Sequence, residues 1–149
     1  MKTVQAIIDQ HGGMDKLKSK AIKIDNPPYM ALCIEYIGQG PRNYPMVSVA
    51  HYGQPMAEGG DRPGRRQNGD AMRDPDMVFE VAGPEDIAWG PISFRNDYAG
   101  VNQLAVWMDD ELGHVMLKPG LIKDLRTFAR TWDRNLKEQG FLREEVKSV

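Results

Sequence analysis

Three aspartates, Asp70, Asp74 and Asp76, lie close together in the middle of the chain. Clustered carboxylates are the ligands that Mg²⁺ and Ca²⁺ prefer, so one interpretation is a metal-dependent hydrolase or nuclease that also uses His51. The spacing does not match a calcium-binding loop, and Pro75 interrupts the cluster. Aspartates beside proline and glycine are also typical of turns, where their side chains bond to the nearby backbone. We therefore predict no metal ion and no other cofactor at these residues.

A second group with chemical potential is basic. Arg62, Arg65 and Arg66 lie in a glycine-rich stretch, where they could contact the phosphates of a nucleic acid. Acidic residues in the same stretch offset the positive charge, and no aromatic side chain is interleaved for base stacking. A plain solvated loop is the favoured interpretation, and nucleic-acid binding is the alternative.

The chain has one cysteine, Cys33, which excludes an intramolecular disulfide and argues against a thiolate zinc site. Cys33 and His51 lie on predicted neighbouring strands, so a cysteine–histidine nucleophile pair is one hypothesis. A lone cysteine in a strand is usually a small buried side chain without special reactivity. We therefore predict no catalytic residue at this pair.

The segment from Arg95 to Tyr98 follows a predicted strand and combines residue types that dominate protein interfaces. A turn whose aromatic side chain packs on the sheet edge is the alternative interpretation. Together with the two segments near His51 and Asp74, this segment indicates a surface that binds a protein partner. The predicted partner-binding residues are His51, Tyr52, Asp70, Arg73, Asp74, Arg95, Asn96, Asp97 and Tyr98.

Length and composition indicate one globular domain over residues 1–149. A chain of this size buries about 70% of its unfolded surface, which is enough for a core without disulfides. The net charge of −2 gives no general attraction to nucleic acids or membranes. No apolar run has the length of a membrane span, and the beginning of the chain lacks a signal-peptide pattern. We therefore expect a cytoplasmic protein with no membrane partner.

Two short segments, Pro45–Tyr52 and Asp76–Val81, are rich in β-branched and aromatic residues and are predicted to be neighbouring antiparallel strands. Residues 53–70 between them have almost no apolar content, and we predict a mobile loop there. The remaining predicted strands are Tyr29–Ile37, Ile87–Arg95 with a bulge or an edge at Gly90–Pro91, and Val101–Met108.

Apolar residues at spacings of three and four predict a C-terminal helix of about twenty residues between Pro119 and Gly140, with Phe141 packing back on it. Charged residues, Asp133 among them, occupy its other positions. A short helix is predicted at residues 3–11. The order of elements predicts an α+β fold, in which an antiparallel meander of about five strands carries both helices on one face.

Several segments resemble a family of small bacterial proteins that contain a domain of unknown function. The resemblance extends from about Pro27 to Trp107, and the C-terminal helix also fits it. The region 53–67 departs from the family pattern as an insertion would, so the arginines within it are not expected to have a family-wide role. The segments that carry the resemblance are Asn26–Met30, Val47–Tyr52, Asn68–Met77, Phe79–Val81 and Phe94–Tyr98.

Members of that family are often encoded in phage, plasmid and conjugative-element regions. The resemblance therefore implies an accessory protein of a mobile genetic element. The family has no assigned catalytic residues, so the resemblance gives no role to any individual residue of this chain. We accordingly expect a non-enzymatic accessory or interaction protein.

Overall fold

The computed structural model describes residues 1–53 and 72–143. Its main element is a six-stranded antiparallel sheet in which each strand lies beside its neighbours in the sequence. The predicted antiparallel meander is confirmed, but the sheet is larger than the predicted five strands. The strands are β1 (Ile22–Asn26), β2 (Tyr29–Gln39), β3 (Pro45–Tyr52), β4 (Arg73–Val81), β5 (Trp89–Asn96) and β6 (Val101–Leu104).

The segment predicted as one strand, Val101–Met108, divides at Ala105 into β6 and β7 (Val106–Asp109). Ala105 is fully buried; its N–H donates to the Ile92 carbonyl of β5 at 2.8 Å, and its carbonyl accepts from the Lys118 N–H at 2.9 Å. β7 then pairs with β8 (His114–Leu117) in a separate two-stranded sheet. The polar turn after β7 therefore closes this hairpin.

The bulge predicted in the fourth strand is present in β5. Val78 lies opposite Ser93, whereas the next residue, Phe79, lies opposite Pro91, so β5 holds one extra residue, Ile92, at this point. An extra residue bends a strand and increases its twist. β5 is nevertheless an interior strand, since it pairs with both β4 and β6.

The helices are α1 (Lys2–Gln10), α2 (Gly13–Leu17) and α3 (Pro119–Glu138). The 20 residues of α3 confirm the predicted length. Gly140 follows the helix with a φ of 86°, a conformation that glycine adopts without strain, and Phe141 is 1% exposed, as predicted. Of the helices in the described residues, none has the length and apolar character needed to cross a membrane.

The core lies between α1, α3 and one face of the sheet. Because side chains alternate across a strand, every second residue of the central strands points to this face. The helices contribute Ile7, Ile8, Leu125 and Leu136 among others. The central strands contribute Leu32, Ile34, Val47, Val49, Met77 and Phe79, all at most 1% exposed.

The sequence pattern indicated that Asp133 faces solvent on α3. The residue is instead buried, with 8% of its surface exposed. Its carboxylate accepts hydrogen bonds from the backbone N–H groups of Thr3 at 3.0 Å and Val4 at 3.2 Å. These N–H groups lie in the first turn of α1, where no carbonyl of the same helix can accept from them. A side chain from the C-terminal half of α3 thus caps the start of α1 and fixes how the two helices pack.

Replacing Asp133 by alanine is expected to lower the free energy of unfolding by about 1–3 kcal/mol, because two buried N–H donors lose their acceptor. Urea unfolding measures this loss. The matched control is Asp124→Ala, which removes an exposed aspartate from the same helix. Equal, small losses for both variants would show that the cap contributes nothing.

Candidate functional site

The second face of the sheet is polar at the end formed by the close of β3, the start of β4 and the close of β5. The register places Asp76 between Ala50 and Arg95 on the two flanking strands, and it pairs Tyr52 with Arg73. Strand pairing therefore gathers chemically active side chains from distant parts of the chain. We refer to the following residues as the polar cluster: Ser48, Tyr52, Arg73, Asp76, Arg95 and Asp97.

Asp76 is the buried centre of the polar cluster, at 8% exposure. Ser48 Oγ donates a hydrogen bond to its Oδ1 at 2.7 Å, and Arg73 Nε lies 3.6 Å from its Oδ2. A carboxylate removed from water requires such partners, because an unpaired buried charge is strongly unfavourable. The Arg73 guanidinium also lies over the Tyr52 ring, 5.8 Å from its centroid, a cation–π geometry.

Asp97 holds the second arginine of the polar cluster. Arg95 Nε donates to Asp97 Oδ1 at 2.7 Å, while Asp97 Oδ2 accepts from the Arg73 backbone N–H at 2.9 Å. The Asp97 N–H in turn donates to the Arg73 carbonyl at 2.9 Å. Asp97 therefore fixes the start of β4 against the end of β5 and positions one guanidinium at the same time.

The Tyr52 hydroxyl is the remaining polar group of the cluster. Burial raises the pKa of Tyr52, and the positive charge and hydrogen bond of Arg73 oppose that shift only in part. The phenol is therefore protonated at neutral pH and keeps its ability to donate a hydrogen bond.

Asp74, Asn96 and Tyr98 lie beside the polar cluster and shape the turn that follows β5. Asn96 Nδ2 donates to Asp74 Oδ1 at 2.7 Å, and Asn96 Oδ1 accepts from the Ala99 N–H at 3.1 Å. Tyr98 is 41% exposed, and burial followed by the charges of Asp74 and Asp97 raises the pKa of its hydroxyl. The structure thus groups most of the predicted partner-binding residues at one end of the sheet.

Some of the predicted residues lie outside the described residues. Asp70 is one of them, and so are the three arginines proposed for nucleic acid, Arg62, Arg65 and Arg66. The predicted mobile loop at 53–70 is described only at Gly53, whose N–H donates to the Met72 carbonyl at 2.7 Å.

His51 is next to Tyr52 in the sequence but lies on the helix side of the sheet. Its ring centroid is 5.6 Å from that of Trp132 and 5.3 Å from that of Phe141, and the residue is 8% exposed. Its Nδ1 lies 3.1 Å from the Met30 carbonyl oxygen and donates to it, because a carbonyl can only accept. Burial lowers the pKa of His51, so the imidazole is neutral at pH 7.

The register also separates the cysteine and histidine considered as a nucleophile pair. Cys33 lies opposite Ala50, whereas His51 lies opposite Leu32, so their side chains point to different faces of the sheet. Burial raises the pKa of the Cys33 thiol, which keeps it protonated and weakly nucleophilic. The geometry therefore provides no cysteine–histidine pair.

The aspartates considered as metal ligands have other partners. Asp76 bonds to Ser48 and lies beside the cationic Arg73, while Asp74 accepts from Asn96. Within residues 1–53 and 72–143, no group of three histidine, cysteine, aspartate or glutamate side chains is arranged to hold a metal ion. Asp74 and Asp76 therefore contact neighbouring side chains of the sheet.

Two polar residues of this face were missed by the sequence analysis, Ser48 and Glu80. Glu80 is 3% exposed, and its Oε2 accepts from the N–H groups of Arg42 at 2.7 Å and Tyr44 at 3.2 Å, which fixes the turn between β2 and β3. Its Oε1 is buried and has no hydrogen-bond partner among the described residues. Ser48 and Glu80 are each a polar residue within an apolar strand segment, and that pattern could have identified both in the sequence.

Comparison with known proteins gives one finding. A family model with the description domain of unknown function (DUF6908) matches residues 2–142. The match covers more of the chain than the resemblance noted in the sequence. Neither a curated protein nor a solved structure shows significant similarity to the chain.

The buried, neutral state of His51 predicts how stability depends on pH. Because the folded-state pKa is lowered, the unfolded chain binds the proton more tightly, so stability is complete above about pH 6.5 and declines below it. Urea unfolding at pH 7.5 and at pH 5.5, both chosen around that value, is expected to show this decline in wild type and a smaller one in His51→Phe.

The variant His114→Gln is the control, since it removes an exposed histidine and should keep the wild-type decline. One linked proton changes the free energy of unfolding by at most about 1.4 kcal/mol per pH unit. A loss of stability in His51→Phe as large as that of wild type would contradict the buried, neutral state assigned to His51.

Proposed function

Since the chain belongs to the DUF6908 family of domains of unknown function, we propose its function from the geometry of the polar cluster. The protein is a non-enzymatic interaction protein that binds a protein partner through Arg73 and Arg95. The observation that carries this proposal is that each arginine is partly exposed while the carboxylate that holds it is buried.

The exposure values make this contrast clear. The side chains of Arg73 and Arg95 are 36% and 35% exposed, whereas those of Asp76 and Asp97 are 11% and 7% exposed. Ordering a free arginine at an interface costs about 0.5–1.5 kcal/mol of conformational entropy. Here much of that cost is met during folding, because the buried carboxylates already restrain both guanidinium groups.

The contacts also leave donors for a partner. Each arginine approaches its aspartate through Nε, and Arg73 also hydrogen-bonds to Tyr52. A guanidinium has four further N–H donors on its terminal nitrogens, so both arginines keep donors beyond these described contacts. Tyr52 adds a large, partly buried aromatic ring next to them, and arginine and tyrosine are frequent among residues that dominate binding energy. Carboxylates or backbone carbonyls of a partner fit this arrangement of planar donors.

The chemistry of the same residues supports binding over catalysis. The pKa values of Cys33 and Tyr52 are raised, so neither provides an activated nucleophile or base at neutral pH. The Asp76 carboxylate already accepts from Ser48 and faces Arg73. These groups hold one another in place, and a pre-arranged surface of this kind is suited to recognition.

The biological setting is part of the proposal and rests on the resemblance of the sequence segments described above. A protein of that family would act as an accessory factor of a phage, plasmid or conjugative element. Its partner would then be encoded by the same element, in the cell that carries it.

The test is affinity capture with tagged protein from two lysates, one from a host that carries the element and one from the same strain cured of it. Captured proteins are identified by mass spectrometry, purified and titrated by calorimetry. The double variant Arg73→Gln, Arg95→Gln is expected to weaken binding about tenfold or more, because such anchors each contribute more than about 1 kcal/mol.

The matched control is Lys123→Gln, Arg134→Gln, which removes the same charge from the exposed side of α3. Tyr52→Phe gives an intermediate variant that leaves both arginine–aspartate contacts intact. Urea unfolding shows whether each variant is folded. A partner that binds the double variant as tightly as wild type, or none captured from either lysate, would refute the proposal.

A further inference from the structure

A second surface with distinct chemistry lies where α1 and α2 meet β1, away from the polar cluster in the sequence. It is a groove with a volume of about 590 Å³. Volumes of roughly 300–1,000 Å³ are typical of small-molecule sites. We refer to it as the basic groove, after four residues of its lining: His11, Lys16, Lys20 and Lys23.

The backbone brings the three lysines together. The Lys20 N–H donates to the Lys16 carbonyl at 3.0 Å, so the two side chains emerge one helical turn apart. Lys23 is the second residue of β1 and joins them from the edge of the sheet. Lysines from α2, from the turn that follows it and from the edge strand β1 thus line one hollow.

Gly12 fixes the position of Lys16. A Cβ atom built at Gly12 would lie 2.7 Å from Lys16 Cδ, so the stem of the lysine rests where a side chain would otherwise be. The φ of Gly12 is 100°, which also favours glycine at this position. The lysine stem therefore packs against the backbone, and its ammonium group remains exposed.

No carboxylate is present in the lining of the basic groove, and none of its three lysines forms an ion pair within the described residues. Asp25 and Glu35 act on Cys33 together with Lys23, so they lie near this lysine but outside the lining. The nearby Asp9 accepts from Gln5 Nε2 at 3.0 Å and lines a different hollow. Lys16 and Lys20 carry like charges one turn of the chain apart, so an anion bound between them would reduce their mutual repulsion.

We propose that the basic groove binds the phosphate groups of a small polyphosphate, such as inorganic triphosphate or a nucleoside triphosphate. Lysine ammonium groups act as compact point charges with three donors each, which suits phosphate oxygens. Apart from His11, the groove has no aromatic side chain, and Ile22 forms its buried apolar wall. Recognition is therefore of the phosphates, and the base contributes little. This site is independent of the proposed partner surface.

The test is calorimetric titration of the full chain at low salt, about 50 mM, where screening is weak. The probes are inorganic tripolyphosphate, adenosine triphosphate, adenosine monophosphate and a single-stranded DNA oligonucleotide. We expect the two triphosphates to bind with similar affinity and the monophosphate to bind much more weakly. The triple variant Lys16→Gln, Lys20→Gln, Lys23→Gln should lose about two- to fivefold in affinity for each lysine removed.

The matched control is Lys123→Gln, Arg134→Gln, Lys137→Gln, which removes three exposed cations from α3 and should bind as wild type does. The triple groove variant should unfold at about the same urea concentration as wild type, because all three lysines are exposed. Equal losses in the two triple variants, no triphosphate binding, or binding of DNA without binding of triphosphate would overturn the proposal.

Discussion

Two carboxylates buried on the polar face of β4 set the arrangement around them, because a buried charge must be paired or hydrogen-bonded where it lies. The Asp76 carboxylate accepts a hydrogen bond from Ser48 on β3 and pairs with Arg73 on its own strand. Glu80, four residues along, accepts from two backbone N–H groups of the turn between β2 and β3. The contacts of Asp76 orient the Arg73 guanidinium, and those of Glu80 fix the turn between β2 and β3. The candidate site is therefore a consequence of how the sheet accommodates its own buried charge.

Because side chains alternate along β3, its consecutive residues contact different parts of the structure. Tyr52 faces Arg73 on the polar side, whereas His51 contacts Trp132 and Phe141 on the helix side. The ring of Trp132 in turn lies 6.2 Å from that of Phe128, which makes an edge contact with Phe94 of β5. This row of rings fixes the central strands against α3. Because the strands are rigid, the same packing holds the polar cluster on their other face in position.

The sequence predicts the parts of this fold that local pattern determines, and it fails where a distant partner decides. β3 has the predicted bounds, and α3 has the predicted length and glycine stop. Asp133 reads as a surface residue because only the fold brings the start of α1 to it. The break at Ala105 is equally invisible, since the hydrogen-bond partners of this residue, Ile92 and Lys118, come from other parts of the chain. The candidate site follows the same rule: composition identifies Arg95 and Tyr52, but only strand register shows that Asp76 joins them.

The polar cluster and the basic groove use charge in opposite ways, and this difference separates their roles. The cluster balances two arginines against two aspartates, so at long range it is nearly neutral, and the selectivity that we propose for it comes from fixed geometry. Among the described residues, no carboxylate lines the groove, so the attraction of its lysines for an anion extends to the Debye length, about 8 Å at physiological salt. Under the two proposals, binding at the groove weakens steeply as salt rises, whereas binding at the cluster depends on salt much less. Ionic strength thus separates the two proposed modes of binding.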